Sequence, residues 1–322
     1  MTVIIFVASS VWPAVGTPLA NHLWQSTLFA GVVGLLALMM RKNRAQARYW
    51  LWLTASVKFL IPFSLLAVMG SYLGWPKAPV TTEPDFPFLI QEFSRPFSLA
   101  KPTYAVPAAP AAPVFTSHFL PNLLLVIWFC GCAGVVFIWW LRWRRITAAV
   151  RAALPMQTGR ELEVLRSVER RGGIADETEI IVSRCGLEPG IIGIFRPVML
   201  LPAGLLERLT DRQLGAIMTH ELCHVRRRDN LAASIHMLVE AIFWFHPLVW
   251  WIGGRLVDER ERACDEEVLR LGSEPQVYAE GILRVCEFYL ESPLVCAAGV
   301  TGSNLKKRVE RIEKQKKLPF MS

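Results

Sequence analysis

The sequence predicts an α+β protein in which N-terminal transmembrane helices are followed by a more polar C-terminal portion. Hydrophobic residues make up 53% of the 322 residues, and the mean hydropathy is +0.35. No Asp, Glu, Lys or Arg occurs in residues 1–40 or in residues 102–141. A soluble domain cannot bury two such runs, and this composition also excludes disordered, collagen-like and disulfide-framework proteins. After residue 145 the chain becomes charged and mixed, with helical segments around short β-prone runs.

Three apolar segments are expected to cross a membrane, at residues 19–40, 49–75 and 119–141. Nine of the 21 prolines lie between residues 76 and 117, which predicts an extended linker rather than a domain. The expected organisation is two transmembrane helices with a short basic cytoplasmic loop in 1–75, a Pro-rich extracytoplasmic linker in 76–117, a third transmembrane helix in 118–145, a folded domain in 146–303 and a basic tail in 304–322.

The basic residues predict how these segments are oriented. The loop Arg41–Arg48 carries four positive charges and no negative charge, and Arg142, Arg144 and Arg145 follow the third segment. The positive-inside rule places both clusters in the cytoplasm, so the N-terminus lies outside a bacterial-type inner membrane. The net charge of +8 therefore indicates contact with an anionic lipid bilayer. Direct nucleic-acid binding is not expected, because no recognition motif accompanies the charge.

A metal-ligand pattern lies in the C-terminal half. Thr210 and Gln213 form a capping box that predicts the start of a helix, and this helix contains His220-Glu221-x-x-His224. Four residues make slightly more than one helical turn, so both imidazoles lie on one face and can share a metal ion. Glu221 lies about 100° around the helix, where it can take a proton from a metal-bound water as general base. The alternative, a surface histidine pair, is weakened by the apolar residues that precede them.

A third protein ligand is needed to complete a catalytic tetrahedral site. The acidic stretch 258–267 offers carboxylates, and Glu261 and Asp265 share one helix face. One of them can coordinate the metal while the other accepts a hydrogen bond from a liganding imidazole. Cys223 and Cys264 are neighbours of these residues. A thiolate ligand is an alternative, but small core residues are the favoured interpretation.

The apolar stretch 231–257 separates the two parts of this pattern. Its hydropathy alone would predict a fourth crossing, which would place Glu261 and His220 on opposite sides of the membrane. We therefore expect a hairpin that breaks near Pro247 and returns to the same side. His246 is expected to be a structural histidine rather than a further ligand.

In this order, the motifs resemble those of the BlaR/MecR antibiotic-sensor membrane zinc metallopeptidases. The residues that carry the resemblance are His220-Glu221-x-x-His224, the Phe-His-Pro-Leu-Val-Trp-Trp segment Phe245–Trp251, Glu261-x-x-x-Asp265 and the run 302–308. The run 193–202 and the N-terminal apolar segments also fit, so the resemblance covers nearly the whole chain. It implies a cytoplasmic gluzincin domain in residues 146–303, with 231–257 as a membrane-proximal hairpin.

The resemblance also implies roles for individual residues. One Zn²⁺ is expected on His220, His224 and Glu261, with Glu221 as the catalytic base and Asp265 holding a liganding imidazole. In the family's best-known members, an extracellular β-lactam-binding domain triggers self-cleavage and proteolysis of a cytoplasmic repressor. The expected partner of this chain is accordingly a protein substrate such as a transcriptional repressor.

The chain departs from that plan at its C-terminal end. It ends at Ser322 after a basic stretch, so neither a C-terminal sensor domain nor antibiotic sensing is expected. The Ser-x-x-Lys spacing that penicillin acylates in such domains occurs at Ser98 with Lys101 and at Ser303 with Lys306. We interpret both as chance, because the linker and the tail offer no folded pocket.

The sequence therefore favours an integral-membrane zinc metalloendopeptidase that cleaves a protein at a cytoplasmic site in signal transduction. The β-prone run ending at Leu201-Pro202 is expected to form a sheet edge on which an extended substrate pairs. Two alternatives are a membrane quality-control or prenyl-protein-type zinc protease and a non-catalytic membrane signalling scaffold. The Phe-His-Pro segment and the 41 positions from His220 to Glu261 favour the signalling family.

Overall fold

The computed structural model describes residues 2–62, 119–173, 177–183 and 188–291. The end of the expected second span, the proline-rich linker, both Ser-x-x-Lys pairs and the basic tail lie outside these residues. The described elements are α1 Thr2–Met39, α2 Ala45–Lys58, α3 Phe119–Ala152, β1 Leu154–Pro155, α4 Arg160–Gly172, β2 Glu179–Ser183, β3 Gly190–Ile192, β4 Val198–Pro202, α5 Ala203–Leu206, α6 Asp211–Arg227, α7 Asp229–Ile242, α8 Pro247–Arg270 and α9 Pro275–Glu291.

Two of these helices are long and apolar enough to cross a membrane, within the part of the chain that the structure describes. They are Gly16–Met39 in α1 and Asn122–Ala152 in α3. The sequence predicted three, and the number found among the described residues is two. Of the second expected span, 49–75, the structure describes residues 49–62, which include the end of α2, and the remainder lies outside the described residues.

The chain divides into two compact units. The first comprises Met1–Met40, Trp50–Phe137 and His236–Gly254, and the second comprises Arg41–Tyr49, Ile138–Ile235 and Arg255–Ser322. The mostly helical content with one small sheet agrees with the predicted α+β class.

Aromatic side chains form much of the described interior of the first unit. Phe59 is fully buried, and its ring meets Phe243 and His246 edge-on at centroid distances of 5.5 and 5.3 Å. His246 also lies 3.3 Å from the hydroxyl of Thr27. The apolar stretch 231–257 forms most of α7 and the first part of α8. Pro247 is the first residue of α8, a position that suits proline because no helical hydrogen bond needs its backbone nitrogen.

The second unit contains a four-stranded sheet in the order β1-β2-β4-β3. Strand β4 pairs in parallel with β2 and antiparallel with β3, so both of its edges are hydrogen-bonded to neighbouring strands. The expectation that the strand ending at Leu201-Pro202 forms a sheet edge is therefore wrong. The edges of this sheet are β1 and β3.

The main core of the second unit lies between this sheet, α4 and α6. Leu214, Met218 and Leu222 recur at every fourth position of α6 and are almost completely buried there. Leu165 of α4 and Met199 of β4 pack in the same cluster. This packing fixes the rotation of α6 about its axis and so fixes where its polar residues point.

Candidate metal centre

Helix α6 begins at the capping box that the sequence predicts. The backbone N–H of Gln213 donates to the Thr210 hydroxyl over 3.4 Å, and the Gln213 side chain accepts from the Thr210 backbone over 3.1 Å. The reciprocal pair satisfies two helix N–H groups that would otherwise lack partners. The box thus fixes the start of the helix that carries His220 and His224.

The structure brings together the two histidines and the distant glutamate. Nε2 of His220 lies 3.3 Å from Oε2 of Glu261, and Nε2 of His224 lies 3.9 Å from Oε1 of the same carboxylate. One potential ligand atom from each of the three residues lies within 4.8 Å of the others. Although 41 positions separate His220 from Glu261, α6 and α8 place the three residues around one point.

Asp265 supports His220 mainly through a tyrosine. Its Oδ1 accepts a hydrogen bond of 2.8 Å from the hydroxyl of Tyr278, and that hydroxyl also lies 2.8 Å from Nδ1 of His220. The direct separation between Asp265 and Nδ1 is 3.4 Å. The geometry implies that His220 Nδ1–H donates to the tyrosine, which donates to the aspartate. Sequence reasoning missed Tyr278, a lone tyrosine on α9 with no spacing signal.

His224 is held by a second carboxylate that the sequence reasoning also missed. Its Nδ1 donates to Oδ2 of Asp229 over 2.8 Å, and the Cys264 sulfur lies 3.4 Å from the same nitrogen. Burial alone would lower the pKa of His224, but these two partners raise it to about 9. The available signal was an acidic residue five positions after the second histidine, at the start of α7.

The Glu261 carboxylate is kept ionised by its surroundings. Burial would raise the pKa of Glu261, but His220, His224 and Arg260 together hold it well below its usual range. Two guanidinium nitrogens of Arg260 donate to Oε1 over 3.2 and 3.1 Å. The opposite oxygen, Oε2, is the one nearest to His220. Arg260 was not predicted from the sequence either.

The donor set fits a zinc ion. Both imidazoles engage the protein through Nδ1, which leaves Nε2 as the ligand atom, and both Nε2 atoms face one carboxylate. Two nitrogens and one oxygen are the donors expected of a catalytic site with an open fourth position.

A second group of metal-ligating residues, His224, Asp229 and Cys264, fits a cation less well. The Arg227 guanidinium lies 3.5 Å from Asp229 and 3.7 Å from the Cys264 sulfur. A hydrogen bond with Cys223 and burial raise the pKa of the Cys264 thiol, which favours the protonated form. Both features disfavour a second ion, and they support the interpretation of the two cysteines as core residues.

Glu221 follows His220 on α6 and is half-buried. It is not a member of the ligand groups found among the described residues. Burial, together with the charges of Glu188, Cys286 and Glu221, raises the pKa of the half-buried Tyr289 of α9.

The profile of the BlaR1 peptidase M56 family matches residues 20–312 of this sequence. The chain belongs to that family. Its members are membrane signal-transducing metallopeptidases, so the resemblance seen in the motifs is confirmed. The match includes most of the first candidate span, all of α3 and all the residues of the candidate metal centre.

Individual relatives match over shorter ranges. The chain is 28% identical to the methicillin resistance mecR1 protein of Staphylococcus aureus over 137 residues, which is 41% of this chain and 23% of that protein. It is 30% identical to the regulatory protein BlaR1 of Bacillus licheniformis over 138 residues, 42% of this chain and 23% of that protein. A protease HtpX homolog of Limosilactobacillus reuteri is 40% identical over 60 residues, 16% of this chain and 19% of that protein. The matched region thus spans about a quarter of the length of the first two relatives.

Proposed function

We propose that this chain is an integral-membrane zinc metalloendopeptidase that cleaves a protein substrate at a cytoplasmic site during signal transduction. The observation that carries the proposal is the convergence of His220, His224 and Glu261 within 4.8 Å. Membership of a metallopeptidase family supports the same reaction class.

In this proposal His220, His224 and Glu261 hold one zinc ion. A bound zinc ion lowers the pKa of a coordinated water and polarises a peptide carbonyl. Tyr278 and Asp229 fix the tautomer and the ring orientation of the two imidazoles, so that each Nε2 points at the same position. His220, His224 and Arg260 together hold the pKa of the buried Glu261 carboxylate low, which keeps it ionised.

Glu221 is the proposed catalytic base. Its carboxylate accepts the proton of the attacking water and then delivers it to the amine that leaves when the peptide bond breaks. The position next to His220 on α6 supports this role, because it brings a carboxylate near the metal group without making it a ligand.

The proposed site of substrate pairing is the outer edge of β3. This strand lies at the edge of the sheet and contacts α6, which carries the histidines. An extended peptide can add to such an edge through backbone hydrogen bonds. Asn230 donates to the carbonyl of Ile191 in β3 and to that of Gly193 just after the strand, over 3.2 and 2.8 Å.

The proposed substrate is a regulatory protein such as a transcriptional repressor, and the proposed orientation has the active site in the cytoplasm. The relatives named as a regulatory protein and a methicillin resistance protein support a regulatory substrate. The basic loop Arg41–Arg48 supports the orientation, because it follows the first candidate span and belongs to the same unit as the candidate metal centre.

The test compares the full chain with the Glu221→Gln variant in cells and after purification in detergent. Both should contain one zinc per chain, and the variant should lose cleavage by at least about 100-fold because the general base is gone. Glu163→Gln is the matched control, since this exposed glutamate lies on α4 and is not part of the candidate metal centre. The control variant should cleave as the wild type does. Wild-type cleavage by the Glu221→Gln variant would contradict the proposal.

The short similarity to the HtpX homolog favours a second candidate, a membrane quality-control protease. New N-termini identified by proteomics in cells with and without active enzyme separate the two. A regulatory protease yields one or a few cleaved proteins, including this chain if it cleaves itself. Cleavage of many damaged membrane proteins would instead support the second candidate.

A further inference from the structure

The corner between α6 and α7 brings a buried arginine next to the candidate metal centre. Arg227 is the last residue of α6, and Asp229 is the first residue of α7. Arg228 between them adopts a left-handed backbone conformation with a φ of 55°, and its N–H donates to the carbonyls of His224 and Val225. This arrangement ends α6 and turns the chain within one residue, so the side chains of Arg227 and Asp229 come together.

Arg227 contacts both side chains that lie against Nδ1 of His224. Its Nε forms an ion pair with Oδ1 of Asp229 over 3.5 Å, and its Nη1 donates to Sγ of Cys264 over 3.7 Å. Nδ1 of His224 in turn lies 2.8 Å from Oδ2 of Asp229 and 3.4 Å from Sγ of Cys264. The side chains of Arg227 and Asp229 are 7% and 1% exposed, and Cys264 is completely buried. The arginine charge therefore acts on these two groups with little screening by solvent.

Two further contacts fix the position of the Arg227 guanidinium. Its Nη1 also donates to the backbone carbonyl of Arg260 on α8 over 3.3 Å, one residue before Glu261. The aromatic ring of Tyr49 on α2 covers the guanidinium, whose carbon lies 4.7 Å from the centre of the ring, at a distance that favours a cation–π interaction. A planar guanidinium can serve several acceptors at once in this way, whereas the ammonium of a lysine cannot.

The second ligand group consists of His224, Asp229 and Cys264, whose ligand atoms lie within 4.8 Å of one another. A nitrogen, an oxygen and a sulfur are all donors that zinc accepts. His224 belongs both to this group and to the candidate metal centre. Its Nδ1 contacts Asp229 and Cys264, whereas its Nε2 lies 3.9 Å from the carboxylate of Glu261. The ring nitrogen that binds zinc therefore decides between the two groups.

We infer that Arg227 is a positioning residue that determines which ring nitrogen of His224 binds the zinc ion, because its guanidinium takes the place of a cation at the second ligand group. The inference rests on the proposed function, since it requires a zinc ion at the candidate metal centre. Without the arginine charge, Asp229 and Cys264 become available as ligands. A zinc ion that binds Cys264 displaces the thiol proton, which passes to solvent.

The test measures X-ray absorption at the zinc edge on the full chain in detergent, loaded with an excess of Zn²⁺ and then freed of unbound metal. Arg227→Gln should add a sulfur neighbour at about 2.3 Å, which the wild type should lack. The matched control is Arg226→Gln, because Arg226 is the preceding residue of α6 and forms an exposed hydrogen bond with Glu267. This control should give the wild-type spectrum. A merely structural role of Arg227 would lower the zinc content without adding a sulfur ligand.

Cys264→Ser identifies the sulfur and keeps the inference testable if Arg227→Gln does not fold. Added to Arg227→Gln, it should remove the sulfur neighbour, and alone it should leave the wild-type spectrum unchanged. Three results would overturn the inference: an Arg227→Gln spectrum equal to that of the wild type, a sulfur neighbour that persists in the double variant, or a sulfur neighbour in the wild type that Cys264→Ser removes. A wild-type chain that binds no zinc would instead overturn the proposed function itself.

Discussion

In the candidate metal centre, each imidazole has one ring nitrogen for binding the proposed ion, and its other ring nitrogen contacts a protein side chain. On His220 the protein partner is Tyr278, which passes the contact on to Asp265, and on His224 it is Asp229. The two supports differ in kind, since one is a neutral hydroxyl and the other a carboxylate. A carboxylate makes its imidazole more basic, whereas a hydroxyl mainly fixes the ring.

Tyr278→Phe should therefore weaken zinc binding by roughly tenfold. The variant removes the hydroxyl between His220 and Asp265 and leaves only their direct separation of 3.4 Å. The phenyl ring still fills the site, so the fold should be retained. Chelator competition measures the effect, and a zinc affinity equal to that of the wild type would contradict the proposed role of this hydroxyl.

Helix spacing predicted that His220 and His224 share a face and that the third ligand is Glu261 or Asp265, and the family resemblance selected Glu261. Tyr278 and Arg260 could not be predicted, because a lone tyrosine or arginine carries no spacing signal. Asp229 offered one signal, an acidic residue five positions after His224, but only the packed structure shows that it contacts the imidazole.

At the scale of elements, α8 joins most of the functional contacts of the second unit. Its carboxylates serve different partners in turn: Glu259 binds Arg48, Glu261 faces the histidines, Asp265 accepts from Tyr278 and Glu267 binds α6. A sequence rich in acids here would normally indicate a solvated face. Instead, the run contacts three other helices, α2, α6 and α9.

The ion pairs of Glu267 predict a pH-dependent contribution to stability. Hydrogen bonds from Arg270 and Arg226 lower the pKa of Glu267 to about 2. A carboxylate with a lowered pKa stabilises the fold above its unfolded pKa of about 4.3 and loses this contribution as the pH falls towards 2. Glu267→Gln should thus lower Tm at pH 7 by an amount that shrinks below about pH 4.

Thermal unfolding in detergent between pH 7 and pH 3 measures this effect. The contribution should stay below about 1 kcal/mol, because both arginines are 40% or more exposed. Glu274→Gln is the control, since its carboxylate lies 3.7 Å from the largely exposed Arg212 and should matter little at any pH. A difference for Glu267→Gln that grows as the pH falls would contradict the assignment.

The glycine pair in the N-terminal half of α8 gives a second prediction at this scale. A Cβ at Gly253 would meet His236 Nε2 at 2.6 Å and Glu240 Oε1 at 2.9 Å, and the His236 ring is held by Ser56 over 2.8 Å. Gly253→Ala should therefore destabilise the protein by roughly 1–3 kcal/mol.

The neighbouring position supplies the matched control. A Cβ at Gly254 would meet nothing within 4 Å, so Gly254→Ala should be neutral or should stabilise α8 by up to about 1 kcal/mol. Thermal unfolding in detergent compares the two variants. A Gly253→Ala protein as stable as Gly254→Ala would contradict the close packing around His236.

Local sequence signals predicted β2 and the start of α6, but the position of β4 in the sheet was predicted wrongly. Strand β2, Glu179–Ser183, lies in one of the short β-prone runs, and the capping box starts α6, because both signals are local. The position of β4 in the sheet was missed, since it depends on β2 and β3 pairing along opposite edges. Pairing partners far apart in the chain are not encoded in the pattern of one strand.

At the scale of the whole molecule, the chain combines candidate membrane spans with a unit that holds the candidate metal centre. The family profile covers most of both, and the segment Arg41–Tyr49 that follows the first span is part of the second unit. Composition alone predicted the membrane class, whereas the grouping of this segment with the second unit needed the packed structure.

The central claim is that His220, His224 and Glu261 hold one zinc ion, and X-ray absorption at the zinc edge of the purified full chain tests it most directly. The account predicts one zinc per chain with a first shell of nitrogen and oxygen at about 2.0–2.2 Å and no sulfur. A sulfur neighbour at about 2.3 Å would place the ion at Cys264 instead, and would contradict the claim.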